Sequence, residues 1–217
     1  MEPKKSTVCQ DIINELDKYR TDERKLEFLE NQLKQEQDPV RRKTMFVLMG
    51  TLQFQRKWFN TAAKSFSNAA DLSTTFDEKQ DLFFRAGTMF VRSNDFFTAE
   101  DIFRKSVVLA PKRDRENVQK RVVEAYLQFA RECEVGRQNT KALSIYNRVL
   151  GFKISLDEAN QIRDKIIGIY EKLGNPIQAN AMRAQKKSMN ELNKFAPKKE
   201  EKEDDDNEFS VQDLIDN

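Results

Sequence analysis

The apolar residues of this chain recur at helical spacing. One apolar stripe follows residues 7–19, and a second, made of Leu26, Leu29 and Leu33, follows Thr21. No segment alternates apolar and polar residues for long enough to indicate a strand. We therefore predict an all-α fold, and its simplest form is a right-handed array of about five antiparallel helix pairs. The stripes and stop signals place ten helices near residues 7–19, 22–37, 39–55, 58–73, 76–92, 95–109, 114–134, 138–150, 156–173 and 176–195.

Capping residues mark several of these predicted helix starts. Asp38 precedes a proline, which is favoured at the first helical position. Thr75 with Glu78, and Ser155 with Glu158, match the pattern S/T-x-x-E. In that pattern each side chain accepts a hydrogen bond from the backbone N–H of the other residue. We expect a reciprocal capping box at both places.

A repeat with a long period occupies the middle of the chain. A glycine, two aromatic residues and two small residues return 37 residues further on. Stacked helical hairpins produce such a period, because each hairpin can bury its apolar face only against its neighbours. The pattern favours an extended binding surface over a catalytic pocket. The members are Gly50, Phe59, Ala62, Phe66 and Ala69 in the first copy, and Gly87, Phe96, Ala99, Phe103 and Ser106 in the second.

Together with its flanking residues, this pattern resembles the tetratricopeptide repeat. That family has an aromatic at the fourth position, Gly or Ala at the eighth, Ala at the twentieth and an aromatic at the twenty-fourth. A small residue at the twenty-seventh position and Pro at the thirty-second complete the motif. The matching residues are Phe46, Gly50, Ala62, Phe66 and Ala69 in the first copy, and Phe83, Gly87, Ala99, Phe103, Ser106 and Pro111 in the second.

Two later copies follow the motif less closely. The third keeps Ala142 and Tyr146 in its second helix, but its first helix is longer and lacks a small residue where Tyr126 would fall. The fourth keeps Ala179, whereas Arg183 replaces the expected aromatic. The steps between copies are 37, 43 and 37 residues, rather than about 34. The resemblance covers about residues 43–187 and implies a solenoid of stacked helix pairs.

The resemblance also implies where a ligand binds, because the first helix of each pair lines a concave groove in this family. Some members clamp a chaperone's C-terminal carboxylate with Lys and Asn at the fifth and ninth positions. This chain has Val47 and Thr51 there in the first copy, and Phe84 and Thr88 in the second, which disfavours such a clamp. The alternative is that the large groove residues only pack against neighbouring helices. The implied peptide-binding residues are Val47, Thr51, Phe54, Phe84, Thr88, Val91, Arg92, Leu127 and Arg131.

The end of the chain differs in composition from the rest. The net charge of +2 combines −6 over residues 198–217 with +8 over residues 1–197. We expect a disordered acidic tail from residue 196, because it has too few apolar residues to offset the entropy of ordering. Its apolar residues form a candidate linear motif that docks in the groove of its own chain or binds another protein; the alternative is a solubilising terminus. The motif consists of Phe209, Val211, Leu214 and Ile215.

The composition argues against several classes of function. The chain has no histidine, glycine-rich phosphate loop or paired cysteines, so we predict no catalytic, cofactor-binding or metal-binding residues. Cys9 and Cys133 are isolated, which favours two free thiols over a disulfide or metal site. No apolar run approaches about 18 residues, and the N-terminus does not resemble a secretory signal. These features predict a cytoplasmic protein that does not insert into membranes.

We therefore expect a non-catalytic adaptor or scaffold that binds a peptide or helix of another protein. It would be a monomer or self-associate weakly. The expected organisation is an N-terminal helix pair over residues 1–37, helical repeats over residues 38–195, and the tail over residues 196–217. One alternative is a structural subunit of a larger assembly. Another is RNA binding through short basic stretches such as residues 112–115, although mixed-sign solvated helices explain these stretches more simply.

Overall fold

The computed structural model describes residues 7–195. Within that range the chain forms ten α-helices and one short 3₁₀ helix at Lys112–Asp114, and no strand. The all-α prediction is confirmed, and every predicted helix is present with its ends shifted by no more than three residues. The helices are α1 (Thr7–Leu16), α2 (Asp22–Gln35), α3 (Pro39–Gln55), α4 (Phe59–Asp71), α5 (Phe76–Arg92), α6 (Phe96–Leu109), α7 (Arg115–Val135), α8 (Asn139–Val149), α9 (Leu156–Lys172) and α10 (Pro176–Phe195).

The chain divides into two compact units, Met1–Ile154 and Ser155–Asn217. In the first unit each helix from α3 to α8 packs against the next one along the chain, and α5 also contacts α7. In the second unit α9 packs against α10. Helices therefore pack mainly with their neighbours in sequence, as the short connections between them require.

The N-terminal helices share a core with α3. Ile12 and Leu16 from α1, together with Leu26 and Leu29 from α2, cluster with Met45 and Met49 of α3. Leu29 is completely buried. The predicted boundary between residues 37 and 38 therefore does not coincide with a division between compact units, because α1 and α2 bury their apolar stripes on the first repeat helix.

The capping predictions have mixed outcomes. Asp38 accepts hydrogen bonds from two backbone N–H groups at the start of α3, and Ser155 forms a reciprocal capping box with Glu158 at α9. The box predicted at Thr75 is wrong, since its side chain makes no capping hydrogen bond. Glu78 is held instead by Lys43 of α3, whose Nζ lies 2.7 Å from both carboxylate oxygens. An ion pair between helices has thus replaced the local cap.

The same turn occurs four times, between α3 and α4, α5 and α6, α7 and α8, and α9 and α10. At each turn one residue adopts a positive φ of 57–67°, and the next backbone N–H bonds to the carbonyl five residues earlier. This is the Schellman arrangement, which satisfies carbonyls at the end of a helix. A completely buried alanine follows five residues after each positive-φ residue. The positive-φ residues are Lys57, Asn94, Arg137 and Gly174, and the alanines are Ala62, Ala99, Ala142 and Ala179.

These turns correct the alignment of the third copy. Gly50 and Gly87 each lie seven residues before the positive-φ residue, and the equivalent residue in α7 is Ala130. Ala130 is completely buried, so a small residue is present after all, and Tyr126 aligns with the aromatic Phe83 instead. The expectation was wrong because the equivalent position lies further from the start of α7 than from the start of α5. The helix has 21 residues, whereas α5 has 17, and the four additional residues lie at its N-terminal end.

The predicted tail motif lies outside the described residues: Phe209, Val211, Leu214 and Ile215 all follow residue 195. Among residues 7–195, no helix is both long and apolar enough to cross a bilayer. Cys133 is a buried free thiol at the C-terminal end of α7, and its burial raises the pKa of that thiol.

Candidate functional site

Two contacts between glycine and phenylalanine position the aromatic rings of the first two hairpins. A Cβ atom added at Gly50 would lie 2.9 Å from Cε1 of Phe66, and one added at Gly87 would lie 2.7 Å from Cδ1 of Phe103. Real Cβ atoms do not approach ring carbons this closely, so each ring occupies the space that the missing side chain leaves. The glycines thereby hold α4 against α3 and α6 against α5.

Phe66 also forms the floor of a hollow that we call the α3–α5 hollow. Its volume is about 340 Å³, and it is lined by Thr51, Phe54, Phe66, Phe84, Arg85, Thr88 and Met89. Phe54 is 41% exposed at the edge, whereas Phe66 is 5% and Met89 7% exposed at the base. The hollow is therefore an open apolar depression that has room for a large side chain of another molecule.

Both α3 and α5 contribute residues to the wall of this hollow. Thr51 and Thr88 direct their hydroxyls back to carbonyls of their own helices, at 2.9 Å from Val47 O and Phe84 O. Their methyl groups are then available to line the hollow. Thr51 and Thr88 occupy equivalent positions of α3 and α5, whereas the counterparts of Phe54 and Phe84 are Val91 and Val47.

The charged edge of the hollow carries more positive than negative charge. Arg85 Nε lies 2.8 Å from one oxygen of Asp81, and a nitrogen of Arg121 lies 3.8 Å from the other. The Arg121 guanidinium also stacks over the ring of Phe84, 4.3 Å from its centroid. Two guanidinium groups therefore share one carboxylate, which leaves the edge attractive to a further carboxylate.

Arg92 is not a free cation beside this hollow. Its guanidinium forms two hydrogen bonds of 2.7 Å to the carboxylate of Glu132 on α7. It also lies 5.7–5.9 Å from the ring centroids of Phe54, Phe59 and Phe129, and the side chain is only 17% exposed. Arg92 thus links three successive hairpins, and its charge already has a partner.

The other predicted groove residues are dispersed. Val91 is 1% exposed and belongs to the core, so it has no surface for a ligand. Val47 and Leu127 are half-buried on α3 and α7. Arg131 is exposed, forms an ion pair with Glu124, and lines a separate depression of about 380 Å³ on α7. The structure therefore joins Thr51, Phe54, Phe84 and Thr88 of the predicted residues in one hollow, and the others lie elsewhere.

Two lining residues were missed by sequence analysis, namely Phe66 and Met89. The implied groove included only certain positions of the first helices, whereas Phe66 belongs to a second helix. Its position could have been inferred from Gly50, sixteen residues earlier. A glycine in a closely packed helix pair leaves a space that an aromatic ring of the facing helix can occupy. No sequence signal identified Arg121, which comes from the next hairpin.

Two buried tyrosines lie in the third hairpin. Tyr126 is completely buried, and its hydroxyl has no hydrogen-bond partner among residues 7–195. Burial raises the pKa of this hydroxyl. Tyr146 donates its hydroxyl to Glu134, and its pKa is also raised, first by burial and then by that carboxylate. Neither tyrosine lines the α3–α5 hollow. In residues 7–195 no group of three or more cysteine, aspartate or glutamate side chains has an arrangement that could hold a metal ion.

Comparisons with known proteins place these features in context. No protein-family model matches the chain. No curated protein sequence matches it either. Among solved structures it is similar to the crystal structure of BtubC (BKLC) from P. vanneervenii, with 16% sequence identity and a TM-score of 0.40. That similarity covers 88% of this chain and 84% of the other.

Proposed function

We propose that this chain is a non-catalytic protein-interaction adaptor, built as a tetratricopeptide-like right-handed solenoid, that binds a peptide or helix of another protein. The α3–α5 hollow is its principal binding site. A second protein would place one large apolar side chain in the hollow, and its backbone would follow the surface of α3 and α5. Cytoplasmic location and a monomeric or weakly associating state belong to the same proposal.

The repeated geometry supports the solenoid. Four Schellman turns recur with a buried alanine at a constant distance, and two of the hairpins share the contact between glycine and phenylalanine. Repetition of one hairpin geometry is what a repeat protein requires, because each hairpin presents the same surfaces to its neighbours. Longer steps than the usual tetratricopeptide period would change the pitch of such a solenoid.

One observation carries the binding proposal. Thr51, Phe54, Phe84 and Thr88 were selected by their positions in two separate copies of the repeat, and the structure places all four around one apolar hollow. Phe54 remains 41% exposed there, although burying an aromatic ring stabilises a protein by about 1.5–3 kcal/mol. An exposed ring at the edge of an apolar depression is typical of an interaction surface.

The charges around the hollow suggest the chemistry of the partner. Because Arg85 and Arg121 share Asp81, a carboxylate beside the apolar side chain of the partner would gain a charged neighbour. Edge charges mainly affect the association rate and the choice of partner, whereas the apolar side chain supplies most of the affinity. The preferred partner is therefore a segment with a large apolar residue and an adjacent acid.

Site-specific photo-crosslinking tests this proposal. A benzoylphenylalanine at Thr51 or Gln55, both exposed on α3, should crosslink to one and the same partner segment in cells that express the chain. Matched sites at Lys64 and Asn147, exposed on α4 and α8, serve as controls. Crosslinking from the control sites at equal yield would contradict binding at this hollow.

The identified segment then allows a quantitative measurement. Phe54→Ala and Thr88→Leu should each raise its Kd at least about fivefold in isothermal titration. Removing the contact with Phe54 costs about 1 kcal/mol or more, and a leucine at position 88 would occupy part of the hollow. Lys64→Ala should leave the Kd unchanged. Equal Kd values for all three variants would refute the site. Crosslinks that map to residues 207–217 of the chain itself would favour the hypothesis in which the C-terminal tail gates the hollow.

A further inference from the structure

A second hollow exists where the repeat is interrupted. The step from Ala99 to Ala142 is six residues longer than the step from Ala62 to Ala99. Four of these residues lengthen α7 at its N-terminal end. The packing of α6 against α7 is much less extensive than that of α4 against α5. A space between α6 and α7 lies at this longer step.

This space, the α6–α7 hollow, has a volume of about 360 Å³. Its walls are mainly apolar, and they come from α6, from the first half of α7 and from the loop after α8. Phe152 of that loop packs edge-on against the buried ring of Tyr126, with 5.1 Å between centroids, so the loop is held by an aromatic contact. The apolar wall residues are Phe103, Val107, Val122, Val123 and Phe152.

The lining of the α6–α7 hollow has a net positive charge, with Arg104 and Lys153 against Glu100. Residues 100–121 carry seven bases and four acids, and Arg148 and Lys153 bring the net charge of this region to +5. Glu100, the acid in the lining, forms an ion pair with Arg148, whose Nε lies 2.5 Å from Glu100 Oε1. Lys153 forms no ion pair with a described residue, and the nearby Glu116 is paired with Lys120 at 2.9 Å. Lys153 thus stands at the edge of an apolar depression, and Glu116, the carboxylate that it attracts, is already paired.

We propose that the α6–α7 hollow is a second docking site, whose occupant is an acidic segment of a partner protein that inserts one phenylalanine or leucine side chain. The apolar walls select the anchoring side chain, and Lys153 at the edge attracts the flanking carboxylates. Arg104 adds positive charge there, although its exposed guanidinium is paired with Asp101 at 3.3 Å. Nucleic acid suits the site less well, because the walls are mainly apolar and offer it little besides the Gln119 amide and the cations at the edge. This site is separate from the α3–α5 hollow.

The probe for this site is a fluorescein-labelled peptide with the sequence of residues 207–217, which combines Phe209 and Leu214 with acidic residues. Its binding is measured by fluorescence anisotropy with the full chain carrying Phe209→Ala and Leu214→Ala. The protein's own terminus then lacks both anchors and does not compete through them. A peptide in which both anchors are alanine serves as the matched ligand control and should bind at least about tenfold more weakly, because a buried anchor carries most of the affinity.

Two protein variants alter the hollow in different ways. Val107→Phe fills it, and Lys153→Glu reverses the charge at its edge without changing the apolar walls. Each should raise the Kd of the peptide at least about tenfold, because both shape and charge complementarity are required. Lys64→Glu makes the same charge change on exposed α4 and should raise the Kd less than twofold. Circular dichroism and the thermal midpoint verify that each variant is folded.

The outcomes separate this site from the other proposals. If the Val107→Phe and Lys153→Glu variants bound the peptide with the same Kd as the chain that lacks these two substitutions, the α6–α7 site would be overturned. If Phe54→Ala or Thr88→Leu weakened binding of the peptide and Val107→Phe did not, the peptide would bind at the α3–α5 hollow. Only the inference about the α6–α7 hollow would then fail. A short poly-uridine RNA provides the last test. If it displaced the peptide, and if Val107→Phe left the affinity for the RNA unchanged, the proposed peptide site would be overturned in favour of nucleic-acid binding.

Discussion

The hairpin α5–α6 in the first unit and the hairpin α9–α10 in the second unit share a turn but not the packing between their helices. In α5–α6, the glycine seven residues before the turn receives the ring of Phe103. At the same two positions, α9–α10 has Ile167 and Arg183, and Arg183 forms an ion pair with Glu171. The turn geometry therefore does not require a particular contact between the helices.

Polar contacts connect α9 and α10. Asn160 donates to Asn190 at 2.7 Å, and Lys186 Nζ lies 2.6 Å from Asp164. Lys186 and Asp164 are partly exposed, so solvent screens their attraction. By contrast, the ring of Phe103 is 3% exposed and fills a space that only a glycine leaves. The comparison shows that one local turn can support either an apolar or a polar contact between helices.

The largest expected difference between the two units, measured as the loss in free energy of unfolding, comes from removing the equivalent side chains of Phe103 and Arg183. Phe103→Ala should lower the free energy of unfolding of the first unit by about 3–5 kcal/mol, because it leaves a cavity in a packed core. Arg183→Ala should lower that of the second unit by less than about 1 kcal/mol, because the ion pair is half-exposed. Amide hydrogen exchange measures both units in the same sample. Comparable losses would show that the two contacts are energetically alike.

A smaller effect, of opposite sign in the two units, is expected from alanine at helical glycines. Gly87→Ala should destabilise the first unit by about 1–3 kcal/mol, because its Cβ would overlap the Phe103 ring. Gly168→Ala in α9 is the matched control, since its added Cβ would meet nothing within 4 Å in the described part of the chain beyond its sequence neighbours and the adjoining backbone of its own helix. It should stabilise the second unit by about 0.5–1 kcal/mol through helix propensity. Urea unfolding monitors both, and a stabilising Gly87→Ala would contradict the close contact.

The smallest effects concern the shared turn. Gly174→Ala should cost about 1 kcal/mol, because φ is +67° and alanine disfavours the left-handed region. Lys57→Gly should increase the thermal midpoint slightly, by relieving a positive φ of 61° at an exposed lysine, with a gain of at most about 1 kcal/mol. Differential scanning calorimetry detects both changes. Effects of the same sign at the two positions would show that the turns are not equivalent.

Sequence analysis predicted the helices well and the candidate site in part. The ends of α3, α5 and α10 agree with the expectation, because capping residues and apolar periodicity act within a few residues. Four of the nine implied groove residues share the α3–α5 hollow, because the repeat places Thr51 and Thr88 at equivalent positions. Val91 and Arg92 were misjudged, since their burial and pairing depend on helices from other hairpins.

The amino-acid sequence by itself determined the all-helical character and the buried alanine after each turn. Both depend on hydrogen bonds and side-chain periodicity between residues that are close along the chain. The tertiary structure alone decided that Lys43 takes Glu78 from its expected cap, and that Glu132 holds Arg92. These partners are 35 and 40 residues apart, so their distance is set by how hairpins pack. The two hollows also arise only there, because a gap between helices depends on the shapes of all the side chains around it.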